Sequence, residues 1–304
     1  MRNRMNKVFL AAMSVLVTLA ITLPVSAQIM PLSTQYYENQ YMNNSAFAGM
    51  DKGLNVNLSY RNQWRAVPGS PVTMAFSGDY RFEKVGVGFI VYNDKAGLIG
   101  RTQVMGSYAY HFPLNGENKN LHFGLSLGVM KEDLDNQNIV AAPDDFLALR
   151  FNERKPFING DFGIAYTNER FTIQGALPNL SKFLHKDKQN IIDGSTYFAA
   201  MSYKIGTALN VVIEPKISYR GAKDIESIWD VGTNLKLENN IVSFMGMYRS
   251  DKSSVFGVGV NYDKHYFIQF YYTSQLAGGR MRTGGDFEIN FKINLQKAKV
   301  KELQ

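Results

Sequence analysis

Phe287-Glu288-Ile289-Asn290-Phe291-Lys292-Ile293-Asn294-Leu295 alternates apolar and polar residues without a break. A period of two is what a strand shows when one face meets apolar surroundings and the other meets water. Just upstream, Tyr266, Ile268, Phe270 and Tyr272 repeat the pattern. Phe256, Val258, Val260 and Tyr262 do so before them, and only Asp263-Lys264-His265 separates those two runs. Strands of about ten residues, joined by tight turns and girdled with Tyr and Phe, point to a transmembrane β-barrel.

Working back toward the N-terminus, the alternation scarcely stops. Val242, Phe244 and Tyr248 form one apolar face, Trp229, Val231, Leu235 and Leu237 another, and Leu209, Val211, Ile213, Ile217 and Tyr219 a third. Further faces begin at Tyr197, Phe171, Ile158, Leu121, Val104, Val85, Val72 and Leu54, which brings the expected count to fourteen strands. The fold class is therefore all-β, an antiparallel barrel of about 14 strands, the even number that returns both ends to one side. Connections after even strands read short, as at Glu83-Lys84, Asn168-Glu169 and Asp263-Lys264-His265. Those after odd strands read longer: Ala66–Ser70, Asn93–Arg101, Lys131–Lys155, Pro178–Asp193, Gly221–Ser227, Asp251–Ser254 and Gln275–Thr283. Short periplasmic turns and longer outer loops are the habit of outer-membrane barrels, and a soluble β-sandwich has no reason to keep that parity. The faces opposite the apolar ones carry Asn55, Asn57, Asp79, Arg81, Glu214, Lys216, Asp230, Lys236, Glu288 and Lys292. Charge of both signs predicts ion pairs inside the wall; no single-sign ladder marks an ion-selective pore.

Ahead of the strands, Arg2, Arg4 and Lys7 precede an apolar run from Val8 to Leu23 and a small-x-small end at Val25 and Ala27. This predicts a secretory signal peptide over 1–27, cleaved after Ala27. Nothing later approaches the roughly 20 apolar residues of a membrane helix. The chain has no Cys, which suits a bacterial envelope protein better than a small disulfide-bonded secreted domain. Loss of the three leader cations lowers the net charge from +7 to +4, so basicity gives no argument for nucleic acid. Residues 28–52 are not strand-like: Pro31, Leu32, Tyr36, Tyr37, Tyr41 and Met42 recur at roughly helical spacing, which predicts a short helical or irregular, plug-like segment on the periplasmic side. The barrel is expected over 53–295 and a periplasmic tail over 296–304.

Candidate chemistry is thin. His111, His122, His185 and His265 show no paired spacing, so neither a metal nor a cofactor is expected. Glu132–Asn138 lacks the glycine and terminal glutamate of a calcium loop, and adjacent Asp144 and Asp145 point apart on an extended chain. Gly284-Gly285-Asp286-Phe287-Glu288 has the wrong order and setting for a cyclase signature, and no serine sits in a G-x-S-x-G elbow. The reading is a non-enzymatic protein.

Several short motifs, in order, resemble the PorP/SprF family of the type IX secretion system. Pro31, Gln35-Tyr36 and Asn44-Ser45-Ala46-Phe47-Ala48-Gly49 match its opening, with Ser45 where the family usually has Pro. Arg61-Asn62-Gln63-Trp64 with Pro71 and Thr73 matches the end of its first hairpin. Gly86, Gly88, Asn93, Asp94 and Gly97 match the next landmark, and Leu121, Phe123, Gly124 and Pro178-Asn179-Leu180 later ones. The bare residue chemistry reads as structural. Arg61 and Gln63 share the polar face, Trp64 falls on the apolar side for an interfacial belt, Gly86 and Gly88 permit close backbone approach, and Asn93, Asp94 and Gly97 form a turn. The resemblance implies an outer-membrane protein, in contact with lipid, that serves type IX secretion. Its implied partners are secretion components, secreted or adhesin cargo with a C-terminal targeting domain, and a peptidoglycan-linked periplasmic protein. Lys131–Lys155 and Pro178–Asp193 would face cargo. The alternative is a diffusion porin or small-solute channel.

Overall fold

A computed structural model describes residues 34–35, 37–114, 118–135, 151–153, 155–180, 196–207, 211–222, 225–237, 241–263, 265–275 and 284–295. The strands are β1 (Leu54–Asn62), β2 (Val72–Phe82), β3 (Val85–Ala96), β4 (Ile99–Pro113), β5 (Asn120–Leu134), β6 (Phe157–Thr167), β7 (Phe171–Leu177) and β8 (Thr196–Tyr203). They continue with β9 (Val212–Ala222), β10 (Ile225–Leu237), β11 (Val242–Arg249), β12 (Ser253–Tyr262), β13 (Tyr266–Gln275) and β14 (Asp286–Leu295). Ile205–Gly206 pairs with β9 in the register β8 already holds, Met201 opposite Ile217 and Ile205 opposite Ile213, so it is β8 resumed after Lys204. Each strand pairs antiparallel with the next, and Leu54–Asn62 pairs with Phe287–Leu295 to close the ring. Among the described residues every strand then has a neighbour on both sides, and closure is the one way a sheet survives in hydrocarbon.

The expected alternation holds around the wall. Leu58, Phe76, Leu125, Ile158, Met201, Val231, Phe256 and Ile268 are exposed, while their chain neighbours Asn57, Ser77, Ser126, Asn159, Ser202, Asp230, Val255 and Gln269 are buried. Outward aromatics gather at two levels. Tyr110, Phe112, Phe171, Tyr203, Tyr262 and Tyr266 lie near the end that holds Leu54 and Leu295, and Tyr197, Tyr219, Trp229, Tyr248, Tyr272 and Phe287 lie near the other. Amphipathic rings at both boundaries mark the two membrane interfaces. The turns at the end with both barrel termini are mostly short, as periplasmic turns are in outer-membrane barrels.

The loop parity needs correction. The connections expected at Asn93–Arg101 and Gly221–Ser227 are largely strand: β3 runs to Ala96, β4 starts at Ile99, β9 runs to Ala222 and β10 starts at Ile225. On the outward face of β3 and β4 the apolar series Val87, Phe89, Val91 and Val104 gives way to Asn93, Thr102 and Lys95. The ladder continues above the bilayer, where outward positions meet water, so turn-forming residues there need not end a strand. The expected leader 1–27, the outer-loop segments 136–150 and 181–195, and the tail 296–304 lie outside the described residues, as do Tyr36, Asp144, Asp145 and His185.

Candidate functional site

The described residues 34–35 and 37–52 lie inside the barrel. Asn39, Asn43, Asn44 and Gly49 interrupt any helical run, because short amides compete for backbone groups and glycine adds freedom. What forms instead is two single 3-10 turns, Gln40–Met42 and Ser45–Phe47. The Asn44 side chain caps the second by accepting the Ala46 amide at 3.0 Å. Gly49, at φ +66°, turns the chain toward β1. Gln35, Tyr37, Tyr41, Asn44, Phe47 and Ala48 are all buried against the wall.

On one side the plug touches bare backbone. A Cβ on Gly86 of β3 would stand 1.8 Å from the Ala48 carbonyl oxygen, and one on Gly88 would stand 2.3 Å from the Tyr41 hydroxyl. On Gly124 of β5 it would stand 2.2 Å from the Ala46 amide, and on Gly163 of β6 1.9 Å from Asn44 Oδ1. These inward glycines cut a recess into which 44–49 fits. The polar grip completes the seat. Gly49 N–H donates to Asp79 Oδ2 at 3.0 Å, Arg81 Nη1 donates to the Gly49 carbonyl at 3.2 Å, and Tyr41 donates to Ser107 at 2.7 Å.

Two histidines seat the same stretch. His111 of β4 and His122 of β5 are directly opposite, fully buried, with Nδ1 to Nδ1 at 2.6 Å. His111 Nε2 lies 3.0 Å from the Ala48 carbonyl, which only accepts, so Nε2 carries a proton. In the neutral pair His111 Nδ1 is then the acceptor and His122 Nδ1–H the donor, and His122 Nε2 accepts from Thr167 at 2.8 Å. Reading the histidines as unpaired is thus corrected. The signal was available: both are equidistant from the Asn115-Gly116-Glu117-Asn118 turn sequence, and a hairpin centred there puts them across from each other.

On the other side, long side chains reach the plug. Tyr37 packs with Ala176, Phe198, Met245, Met247, Val255 and Tyr271. Lys216 donates to Gln40 Oε1 at 3.3 Å and sits 5.0 Å from the Tyr37 ring centre. Glu38 pairs with Lys236 at 2.7 Å, and Asp51 pairs with Lys292 at 2.8 Å. Burial opposes ionisation of Glu38, but the Lys236 ammonium and its hydrogen bond hold the carboxyl below its ordinary value, with Lys292 behind. Lys292 does the same for Asp51. Thr34 and Gln35 donate to Glu288, and Gln35 also donates to Ser59 at 2.6 Å.

A second polar cluster lies nearer the outer end. Arg61 and Asp286 form an ion pair at 2.7 Å, each side chain 1 % exposed, with Glu288 alongside. The alternation that placed Trp64 on the apolar face stops at Gln63: Trp64 is past the strand end, at φ +51°, and its amide donates to Asp286. Gln63 N–H donates to the Pro71 carbonyl, and Ser70 to Asn62. Asn93 and Asp94 belong to the β3 ladder rather than a turn; Asp94 accepts from Thr73 at 2.6 Å and Asn93 donates to Thr102 at 2.8 Å. Gly97 alone of that trio sits in the turn, at φ +59°, and its amide donates to Gly69 across the neighbouring loop. Arg220 of β9 and Arg249 of β11 converge on Asp230 of the strand between them. Pro178-Asn179-Leu180 is pinned to β6. Asn179 is left-handed (φ +59°), its amide donates to Asp161, its Oδ1 accepts from Asn159, and Leu180 N–H donates to the Gly160 carbonyl.

The sequence-predicted residues therefore fall into three places: Gln35, Phe47, Gly49, Gly86 and Gly88 at the plug and its seat, Arg61 to Trp64, Pro71, Asn93, Asp94 and Gly97 toward the outer rim, and 178–180 bonded to β6. Gly163, Glu38 and Asp51 were not singled out. A glycine at an inward strand position is the signal that marks Gly163.

The model of the family described as "Type IX secretion system membrane protein PorP/SprF" matches residues 25–293. Among curated protein sequences none matches the chain. Among solved structures, a deltaS2S3 mutant of the TodX monoaromatic hydrocarbon channel is similar at TM-score 0.52 and 9% identity, covering 85% of this chain and 95% of that one. The Acinetobacter baumannii outer membrane protein Omp33 is similar at TM-score 0.49 and 9% identity, covering 81% of this chain and 100% of that one. Identities this low speak to the barrel fold alone.

Proposed function

This chain belongs to the PorP/SprF family of type IX secretion system membrane proteins, and from that premise we propose a plugged, non-enzymatic anchoring barrel of the outer membrane. In this reading it holds secreted or surface-displayed cargo at its outer end and meets secretion machinery at its periplasmic end. A leader over 1–27 would deliver it to the envelope. The observation that favours this over a diffusion porin is the plug. Residues 37–49 occupy the middle of the lumen, gripped from both sides, where a porin would keep a water-filled path. The ion pairs Arg61–Asp286 and Arg220–Asp230 stiffen the wall below the outer rim, giving cargo a fixed platform.

The test is a mild-detergent pull-down of the tagged protein from native outer membranes, with co-purified chains identified by mass. Secretion components or one large surface protein in the eluate support the reading. The barrel recovered alone, with a large steady conductance in planar bilayers, replaces it with the porin. Deleting 136–150 or 181–195 should abolish cargo display while the barrel still inserts.

A further inference from the structure

Beside the two plug ion pairs, the periplasmic end of the barrel opens a cavity of about 350 Å³. Its lining includes Lys52, Lys236, Lys292, His265, Asn261 and Asn294, with Met50 and Phe267 as apolar surface. Glu38 and Asp51 also line it, and they are the acidic residues of the segment 34–52. Both are committed to wall lysines, Glu38 to Lys236 and Asp51 to Lys292. Their commitment is unequal. The Glu38 side chain is 12% exposed, whereas that of Asp51 is 53% exposed and stands at the mouth. Lys52, next in the chain, is exposed, with no hydrogen bond or ion pair among the described residues. His265 spends Nδ1 on the Asp263 carbonyl, which leaves Nε2 as its second polar atom.

We propose that this cavity is a docking site for a carboxylate-bearing peptide segment of a periplasmic partner, whose acid takes Lys292 from Asp51 and closes on Lys52. The mixed lining chooses the occupant. Lysines match carboxylates, the Asn261 and Asn294 amides match a peptide backbone, and Met50 and Phe267 match an apolar side chain, whereas a bare inorganic anion would use the lysines alone. A half-exposed ion pair is the exchangeable one, because water already screens it and its loss strands little buried charge. Docking would also reach the plug, since Lys292 holds both Asp51 and the Glu38 carbonyl. The proposal rests on the periplasmic-contact reading above, but its test needs only the purified chain.

The probe is a fluorophore-labelled hexaglutamate peptide, titrated against the full-length protein in detergent micelles and read by anisotropy. Saturable binding is expected, weakened by about two- to fivefold in Lys52→Gln, the size of one exposed ion pair. Asp51→Asn should tighten it by a similar factor, because the internal competitor is gone. Glu83→Gln, the same charge change on a periplasmic turn away from the cavity, should leave it unchanged, and inorganic phosphate at equal ionic strength should not displace the peptide. Absence of saturable binding overturns the proposal, and so do equal effects of Asp51→Asn and Glu83→Gln, which would mean general electrostatics. Displacement by phosphate reduces the cavity to a simple anion site and also overturns it. Partners recovered in the pull-down alongside a negative titration would leave the anchoring reading standing and place the contact elsewhere.

Discussion

On the β3 to β6 side the plug meets backbone, with glycines Gly86, Gly88, Gly124 and Gly163 cleared to its contour; on the β8 to β14 side it meets Tyr37's aromatic and methionine neighbours and the ends of Lys216, Lys236 and Lys292. The first contact is fixed by shape, because backbone cannot move aside without breaking the ladder. The second is fixed by side chains that can rotate, exchange partners and lose charge. The plug is therefore expected to come away, if it does, from the lysine side first, with 44–49 remaining as the hinge. Each variant below separates the two sides through amide exchange of 37–40 and 50–52 against that of 44–49.

Gly124→Val carries the largest expected effect. Its Cβ alone would sit 2.2 Å from the Ala46 amide and the Ser45 carbonyl carbon, so wall and plug cannot both keep their places. The closed wall wins, since β5 is held by β4 along its whole length and by β6 from Asn120 to Met130. Exchange of 44–49 should rise by about two orders of magnitude or more, with a new conductance in planar bilayers and an unchanged heat-modifiable band on gels. Gly106→Ala is the control, because nothing lies within 4 Å of a Cβ there. A protected plug in Gly124→Val would refute the shape-fixed seat.

The strands were legible because lipid and lumen impose opposite demands on alternate residues, as Phe287 to Leu295 shows at nearly every position. Their upper ends were not, because above the bilayer Asn93 and Asp94 lose the apolar contrast while keeping the ladder. The plug's existence was visible in the break of alternation before Leu54. Its placement was not: Asn44 meets Gln174, and Gln35 meets Glu288, across sequence separations no local pattern encodes. Gly86 and Gly88 read as sites of close approach, yet which backbone approached them waited for the fold.

Lys236→Gln comes next. It leaves the mostly buried Glu38 carboxylate with Asn234 as a remaining donor and with only the Lys292 ammonium, already committed to Asp51, behind it. Stranding a partly buried charge costs about 1–3 kcal/mol, so exchange at 37–40 should rise roughly tenfold or more while 44–49 keeps its protection. Equal rises in both stretches would show that the plug moves as one piece. His122→Phe should be milder and reversed in place. It removes the hydrogen bond that orients His111 toward the Ala48 carbonyl, worth about 1 kcal/mol, and should loosen 46–49 without touching 37–40.

Acid gives the smallest and most selective effect. Glu38 and Asp51 both have carboxyl pKa values held below the ordinary range by Lys236 and Lys292. A depressed folded-state pKa means the ionised form is favoured by the plugged state, so the stabilisation is complete above the unfolded values, about 4, and disappears as pH falls through the lower folded ones. Between pH 7 and 5 the exchange of 37–40 and 50–52, corrected for its intrinsic pH dependence, should stay flat; below about 4 it should rise. Residues 44–48, held by glycine recesses rather than by a carboxylate, should not follow. A common rise across 37–52 would mean that the charge side props the shape side, and the order of release argued above would then be wrong.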